Sequence, residues 1–177
     1  TRMTCDLVRS IRRCSRPVVA ALNGTVAGAG AVIATACDIR VAAESARIAF
    51  LFTRVGLSGA DMGAAWLLPR IVGMGKASEL LMTGEFIDAE EAHRIGLYNR
   101  LVPDGSVLDE ATDLARALAR GPSLALEITK DALLGEADMD MEAALESEAQ
   151  IQAALCLHPN FREALEAFQE KRDPEFE

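Results

Sequence analysis

The pattern of apolar and polar positions predicts a helix and then a strand at the start of the chain. From Met3 to Cys14, apolar residues recur every three or four positions with arginines between them. This spacing places the apolar side chains on one face of a helix, which we expect to end near Pro17. The apolar run Pro17–Leu22 stops at Asn23-Gly24, as is typical of a short buried strand.

Small residues dominate the next segment, from Thr25 to Ala36. Glycine lets the backbone approach a neighbouring element or a ligand closely, so we predict a tight turn that leads into a closely packed helix. Residues Asp38–Ala43 then have the pattern of another strand. Strand, turn, helix and strand form a βαβ unit, which favours a parallel sheet and an α/β fold.

The remainder of the chain has a mostly helical pattern. Asp61 is expected at the N-cap of a helix over Met62–Leu68, which Pro69 and Gly73 limit. Further helices are predicted at Lys76–Thr83, Asp88–Ile95, Val107–Arg120, Ser123–Leu134, Met139–Leu157 and Asn160–Glu170.

Composition indicates a soluble, packed protein. Half of the 177 residues are apolar and a quarter are charged, and a chain of this length can bury a substantial core. The net charge of −9 argues against nucleic acid and membranes as partners, because phosphates are bound mainly by Lys and Arg. The scattered cysteines lack metal-ligand spacing and suit a reducing compartment. We therefore expect no metal and a cytoplasmic location.

Several sequence blocks follow one another in a recognisable order. The first three blocks are typical of a strand, an Asn-Gly turn, a glycine-rich turn and a helix closed by an acidic residue. They are Arg16–Gly24, Ala27–Gly30 and Cys37–Arg40. The later blocks are Leu68–Gly73, Glu79–Gly84, Asp88–Ala92, Gly96–Leu97, Asn99–Pro103 and Phe168–Arg172. Together they resemble the crotonase superfamily of enoyl-CoA hydratases and isomerases, over nearly the whole chain from about Arg16.

The resemblance implies an α/β fold, a crotonase-like spiral of ββα turns with a helical C-terminal region. Residues 1–104 would be the C-terminal part of the spiral, and residues 105–177 the helical trimerisation region. A homotrimer or a dimer of trimers is the implied assembly. The first part of the family's fold would precede the initial helix. The start at Thr1 favours a truncated or partly observed chain over the alternative, a remnant that cannot assemble the complete site alone.

The resemblance also implies a chemistry. Family members bind acyl-CoA thioesters and stabilise their enolates, with CoA as part of the substrate and no separate cofactor. Two backbone N–H groups form an oxyanion hole for the thioester oxygen. By position Ala29 matches one donor, and Gly28 and Gly30 flank it as substrate-binding residues. The other donor lies in the part of the fold that precedes the first helix here.

The catalytic pattern departs from that of the hydratases, which use two glutamates to position and activate water. Val32 occupies the first position, and the second falls at Phe52 or Thr53, so the two-glutamate mechanism is not expected. Asp61 remains as the candidate acid or base. It resembles the aspartate that dienoyl-CoA isomerases and 4-chlorobenzoyl-CoA dehalogenases carry on the same segment, although a plain helix cap is the alternative.

The other candidate residues concern binding. Phe168 and Lys171 resemble a region that contacts CoA across a subunit interface, with surface ion pairing as the alternative. Val32 and Phe52 would line the acyl pocket, and the apolar run Ile48–Phe52 favours a hydrophobic acyl group. His93 and His158 are expected to be structural.

Two functions remain open from the sequence. One is an acyl-CoA enzyme whose outcome is isomerisation, hydration by another acid, or a step that depends on Asp61. The other is a non-catalytic acyl-CoA-binding or assembly protein that has lost the glutamates.

Overall fold

The computed structural model describes residues 2–177. Its helices are α1 Arg2–Arg13, α2 Ala29–Ala36, α3 Ala64–Val72, α4 Met74–Thr83, α5 Ala89–Arg94, α6 Val107–Ala119, α7 Ser123–Gly135, α8 Met141–Leu155 and α9 Pro159–Glu170. Its strands are β1 Val19–Leu22, β2 Thr25–Ala27, β3 Ile39–Ala43, β4 Arg47–Ala49, β5 Ile87–Asp88 and β6 Arg100–Val102. Within this described range, no helix has the length and apolar character needed to cross a membrane.

The strands form two small sheets, and the first four strands alternate between them. The first sheet has the order β1-β3-β6 and is parallel throughout, whereas the second has the order β2-β4-β5, with β2 and β4 parallel and β4 and β5 antiparallel. The parallel β1–β3 pair confirms the predicted βαβ unit. The chain therefore adds one strand to each sheet with β1 and β2, and again with β3 and β4, before the next α-helix, as in a ββα spiral.

The prediction of a continuous turn from Thr25 into the helix was wrong in part. Residues Thr25–Ala27 form β2, whose Val26 pairs with Ile48 of β4. Three residues are too few to show a strand period among small side chains. The helix after them was predicted correctly, and it is largely buried.

The block Cys37–Arg40 has a structural role at the end of α2. The Asp38 carboxylate accepts from the Val18 N–H at 2.7 Å and from Arg12 Nη1 at 3.0 Å, which ties α1 and the start of β1 to β3. The buried Arg40 guanidinium donates to the carbonyls of Leu97 and Cys37. Desolvation by burial lowers the pKa of Arg40, so these carbonyl contacts offset a real cost of burial.

The chain forms two compact units. The first comprises the residues up to Cys14 together with Val18–Ala115, and the second comprises Ser15–Pro17 and Arg116–Glu177. The boundary falls inside α6, later than the 104/105 division drawn from the family, because Val107 and Ala111 of α6 are buried in the first unit's core.

The short segment Ser15–Pro17 belongs to the second unit and makes polar contacts with α7. The buried Lys130 of α7 donates from Nζ to the Arg16 carbonyl at 3.0 Å. The Arg16 guanidinium pairs with Glu127 at 3.2 Å. Both contacts attach the segment to α7.

Replacing Tyr98 by phenylalanine is expected to stabilise the protein. Tyr98 is 1% exposed, its hydroxyl has no hydrogen-bond partner among the described residues, and desolvation raises its pKa. Because a buried unsatisfied hydroxyl costs roughly 1–3 kcal/mol, Tyr98→Phe should raise the free energy of unfolding by about 1 kcal/mol, measured by urea denaturation. A lower free energy of unfolding would show that the hydroxyl does have a partner.

Candidate active site

The turn that introduces α2 depends on Gly28. This residue has φ 54° and ψ −122°, a conformation open to glycine and costly for residues with a Cβ. Its N–H donates to the Ala49 carbonyl at 2.9 Å, which fixes the turn against β4. Gly30 has an ordinary φ, and an added Cβ there would meet only Val26, at 3.9 Å. Of these two residues, only Gly28 has a backbone conformation that requires glycine.

The N-terminus of α2 presents free backbone donors. Ala29 is the first residue of the helix and is exposed. Within residues 2–177, neither its N–H nor that of Gly30 donates to a protein acceptor. The first N–H groups of a helix lack internal partners and carry partial positive charge, so this helix end can receive an anionic oxygen. The geometry suits the oxyanion donor predicted at Ala29, and that role stays a prediction.

Val32, at the first glutamate position, and Phe52, one of the two residues that could hold the second, are buried in the hydrophobic core. Thr53, the other of the two, is half-buried. Val32 is 0% exposed and Phe52 is 9% exposed, and both belong to the core of the first unit. Neither side chain can activate water, because neither carries an ionisable group. Their predicted contact with substrate stays a prediction, since they present almost no accessible surface in this conformation.

Asp61 lies in a turn before α3, and the predicted N-cap role was wrong. Helix α3 begins at Ala64 with Gly63 at its N-cap. The Ala64 N–H donates to the Asp61 carbonyl at 2.8 Å, and the two residues between them, Met62 and Gly63, both have positive φ. Asp61 Oδ1 accepts from the Met62 N–H at 2.9 Å. Because Met62 and Gly63 form a turn with positive φ, the helix starts three residues after Asp61. The Asp61 side chain is partly exposed.

The loop that carries Asp61 also borders a groove that the sequence did not reveal. The groove has a volume of about 280 Å³ and is mainly apolar. Its lining residues come from the 3-10 helix Leu51–Val55, from this loop and from α3 and α4: Thr53, Ser58, Gly59, Ala60, Ala65, Pro69, Met74, Ala77, Ser78, Leu81 and Met82. Gly59 was the one local signal, since a glycine in a loop can mark a close approach of backbones.

Replacing Gly59 by alanine is expected to destabilise the first unit. An added Cβ would lie 2.4 Å from the Leu81 carbonyl oxygen of α4, and overpacking of this kind costs about 1–3 kcal/mol. The matched control is Gly75→Ala in α4, where nothing lies within 4 Å of the added Cβ and alanine should stabilise the helix by roughly 0.5–1 kcal/mol. Thermal unfolding should give opposite shifts, and equal shifts would contradict the close approach at Gly59.

The C-terminal candidates lie at the end of α9 in the second unit. Phe168 is 81% exposed, and Lys171 caps the helix in a left-handed conformation with φ 56°. Surface ion pairing is realised by the neighbouring Arg172, which contacts Glu163 at 2.6 Å and Glu170 at 2.7 Å. Binding roles for Phe168 and Lys171 stay predictions.

Both histidines make structural contacts. The His93 ring Nδ1 lies 2.9 Å from the Tyr98 carbonyl oxygen, and His158 caps α9 by accepting from the Asn160 N–H at 3.2 Å. Across the part of the chain that the structure describes, no three His, Cys, Asp or Glu side chains converge as metal ligands would.

Comparison with known proteins identifies close relatives. A Rhodobacter capsulatus protein, provisionally named an enoyl-CoA hydratase, is 44% identical over 96% of this chain and 66% of its own length. The 1,2-epoxyphenylacetyl-CoA isomerase of Escherichia coli K12 is 37% identical over 96% of this chain and 64% of its own length. The chain thus spans slightly less than two thirds of these relatives.

A solved structure agrees with the fold. The crystal structure of a provisionally named enoyl-CoA hydratase from Streptomyces coelicolor A3(2) superposes with a TM-score of 0.96 at 53% identity, covering 99% of this chain and 64% of that one. The predicted crotonase-like fold with a helical C-terminal region is confirmed. Residues 2–177 also match the sequence pattern of the enoyl-CoA hydratase/isomerase family, and the chain belongs to that family.

Proposed function

We propose that the protein carrying this chain acts on an acyl-CoA thioester and stabilises the enolate that forms from it. The observation that supports this most is the exposed N-terminus of α2, where the Ala29 N–H has no acceptor among the described residues. The family membership supplies the substrate class, since the two relatives described above are named for reactions of CoA thioesters.

The Ala29 N–H would donate to the thioester carbonyl oxygen. When a proton leaves the carbon next to the carbonyl, negative charge moves onto that oxygen, and the hydrogen bond and the helix dipole then stabilise it more strongly than before. This difference between ground state and transition state is what accelerates a reaction. The second donor that the family uses would come from the part of the fold that precedes α1.

We infer that the reaction is an isomerisation in which Asp61 moves the proton. An activated water needs a group that exchanges protons with it, and none of Val32, Phe52 and Thr53, the residues that fall at the glutamate positions, is an acid or a base. Moving a double bond requires one base that removes a proton from one carbon and returns it to another. Asp61, partly exposed in its turn, is the candidate.

A second candidate function is supported by the same two buried residues. Loss of both glutamates, with apolar side chains packed into the core in their place, also suits a protein that binds acyl-CoA without converting it. In both cases CoA enters as part of the ligand, and no further cofactor is proposed.

The assembly is proposed to be a homotrimer or a dimer of trimers in the cytoplasm. The second unit leaves large apolar side chains exposed, among them Leu157 in the turn between α8 and α9 and Phe168 of α9. Exposed apolar side chains of this kind are typical of surfaces that another protein covers. Phe168 and Lys171 would then contact the CoA of a neighbouring subunit.

Turnover assays with the full-length protein test the function. The protein is incubated with crotonyl-CoA, a β,γ-enoyl-CoA and an aromatic enoyl-CoA, and products are separated by chromatography. We expect the β,γ-double bond to move into conjugation, and hydration of crotonyl-CoA to be much slower. Binding of acetyl-CoA by calorimetry with no turnover of any thioester would favour the non-catalytic function instead.

A further inference from the structure

We propose that Met62 is a positioning residue for Asp61, an inference that rests on the proposed proton-transfer role of Asp61. Met62 has φ 50°, in the left-handed region. Among residues 2–177, the only other residue besides glycine with positive φ is Lys171, at the end of α9. An L side chain in this region crowds the following carbonyl, so the conformation persists only where the surroundings enforce it.

The side chain of Met62 supplies that enforcement. It is 4% exposed and belongs to the hydrophobic core of the first unit. Burial of a methionine is favourable and adaptable in shape, so it offsets the strained backbone. The turn is closed on its other side by Gly63, with φ 90°, and by the hydrogen bond from the Ala64 N–H to the Asp61 carbonyl.

This anchor acts on the carboxylate of Asp61 through one hydrogen bond. The Met62 N–H donates to Oδ1 at 2.9 Å, which fixes the orientation of the side chain. The other oxygen, Oδ2, accepts no hydrogen bond from the described residues. The geometry points to Oδ2 as the oxygen that exchanges the proton, and to the buried Met62 side chain as the reason it stays in place.

The test compares variants of Met62 in the full-length protein, with the β,γ-enoyl-CoA as substrate. Met62→Gly removes the buried side chain and also the backbone strain, because glycine adopts positive φ freely. Met62→Ala removes most of the buried side chain and leaves the strain in place. Because small displacements of a reacting group are costly, both should lower kcat by about tenfold with KM changed less than about twofold. Met62→Leu keeps a buried apolar side chain of similar volume, and it should retain most of the kcat of the natural protein.

Two controls separate positioning from general stability. Leu80→Ala removes another core side chain, in α4, and should lower the melting temperature while leaving kcat close to that of the natural protein. Asp61→Asn is then combined with Met62→Ala. If Met62 acts through Asp61, its truncation should cause no further loss of kcat in the Asp61→Asn protein.

The outcomes distinguish the two ideas. Full kcat in Asp61→Asn would overturn the proposed role of Asp61 and the positioning role together. A strong loss in Asp61→Asn, with Met62→Ala either harmless or equally damaging in both backgrounds, would overturn only the positioning role. A loss that appears chiefly in KM would also overturn it.

Discussion

Replacing Ala29 by proline is expected to lower kcat for thioester turnover by about 10²–10³-fold, the usual cost of one lost oxyanion donor. Proline has no backbone N–H, so the substitution deletes the donor itself. The first position of a helix tolerates proline well, and Gly28 before it has no Cβ to clash with the ring. Helix α2 should therefore form in the variant, and the loss should lie in the chemistry.

The matched control is Ala29→Gly, which keeps the backbone N–H group. Its kcat should stay within a fewfold of the natural protein. Steady-state kinetics and far-UV circular dichroism measured on both variants decide the matter. Equal activity of the proline and glycine variants would show that the Ala29 N–H does not touch the reacting oxygen.

Much of the fold could be predicted because its signals are local. The helical period from Met3 to Cys14 gives α1, and the apolar run before Asn23 gives β1. The N-cap at Asp88 is another local feature, since its side chain accepts from the Glu91 N–H at 2.8 Å. Each of these features depends on neighbours within a few residues.

The features that could not be predicted depend on distant partners. Strand β2 exists because Val26 pairs with Ile48 across the second sheet, and three small residues carry no period of their own. The turn at Asp61–Ala64 depends on burial of Met62, which places a methionine at positive φ against its local preference. Local propensity alone therefore favours a helix that starts at Asp61.

The candidate site shows the same division. The glycine-rich turn before Ala29 was visible in the sequence, because a positive φ at Gly28 needs glycine. The burial of Val32 and Phe52 follows from how α2 and the 3-10 helix after β4 pack into one core, and no short sequence window contains both elements. The resemblance to a family predicted the chemistry expected at these positions, whereas the structure showed how deeply each side chain is buried.

Replacing Asp61 by asparagine is expected to lower kcat for isomerisation by about 10³-fold, within the range of roughly 10²–10⁴ for a lost general acid or base. Asparagine has nearly the same shape and can still accept from the Met62 N–H through its Oδ1, so the turn should persist. It cannot take up a proton at neutral pH, and KM should change little.

A change of net charge alone must be excluded, and Asp109→Asn does this. Asp109 is an exposed residue in the first turn of α6, and its replacement removes the same charge far along the chain from the turn. Its kcat should match that of the natural protein. If Asp61→Asn also keeps full kcat while Ala29→Pro loses it, the enolate is stabilised at α2 but another group moves the proton. Full activity in both the Asp61→Asn and the Ala29→Pro variants would show that neither residue takes part in the enolate chemistry.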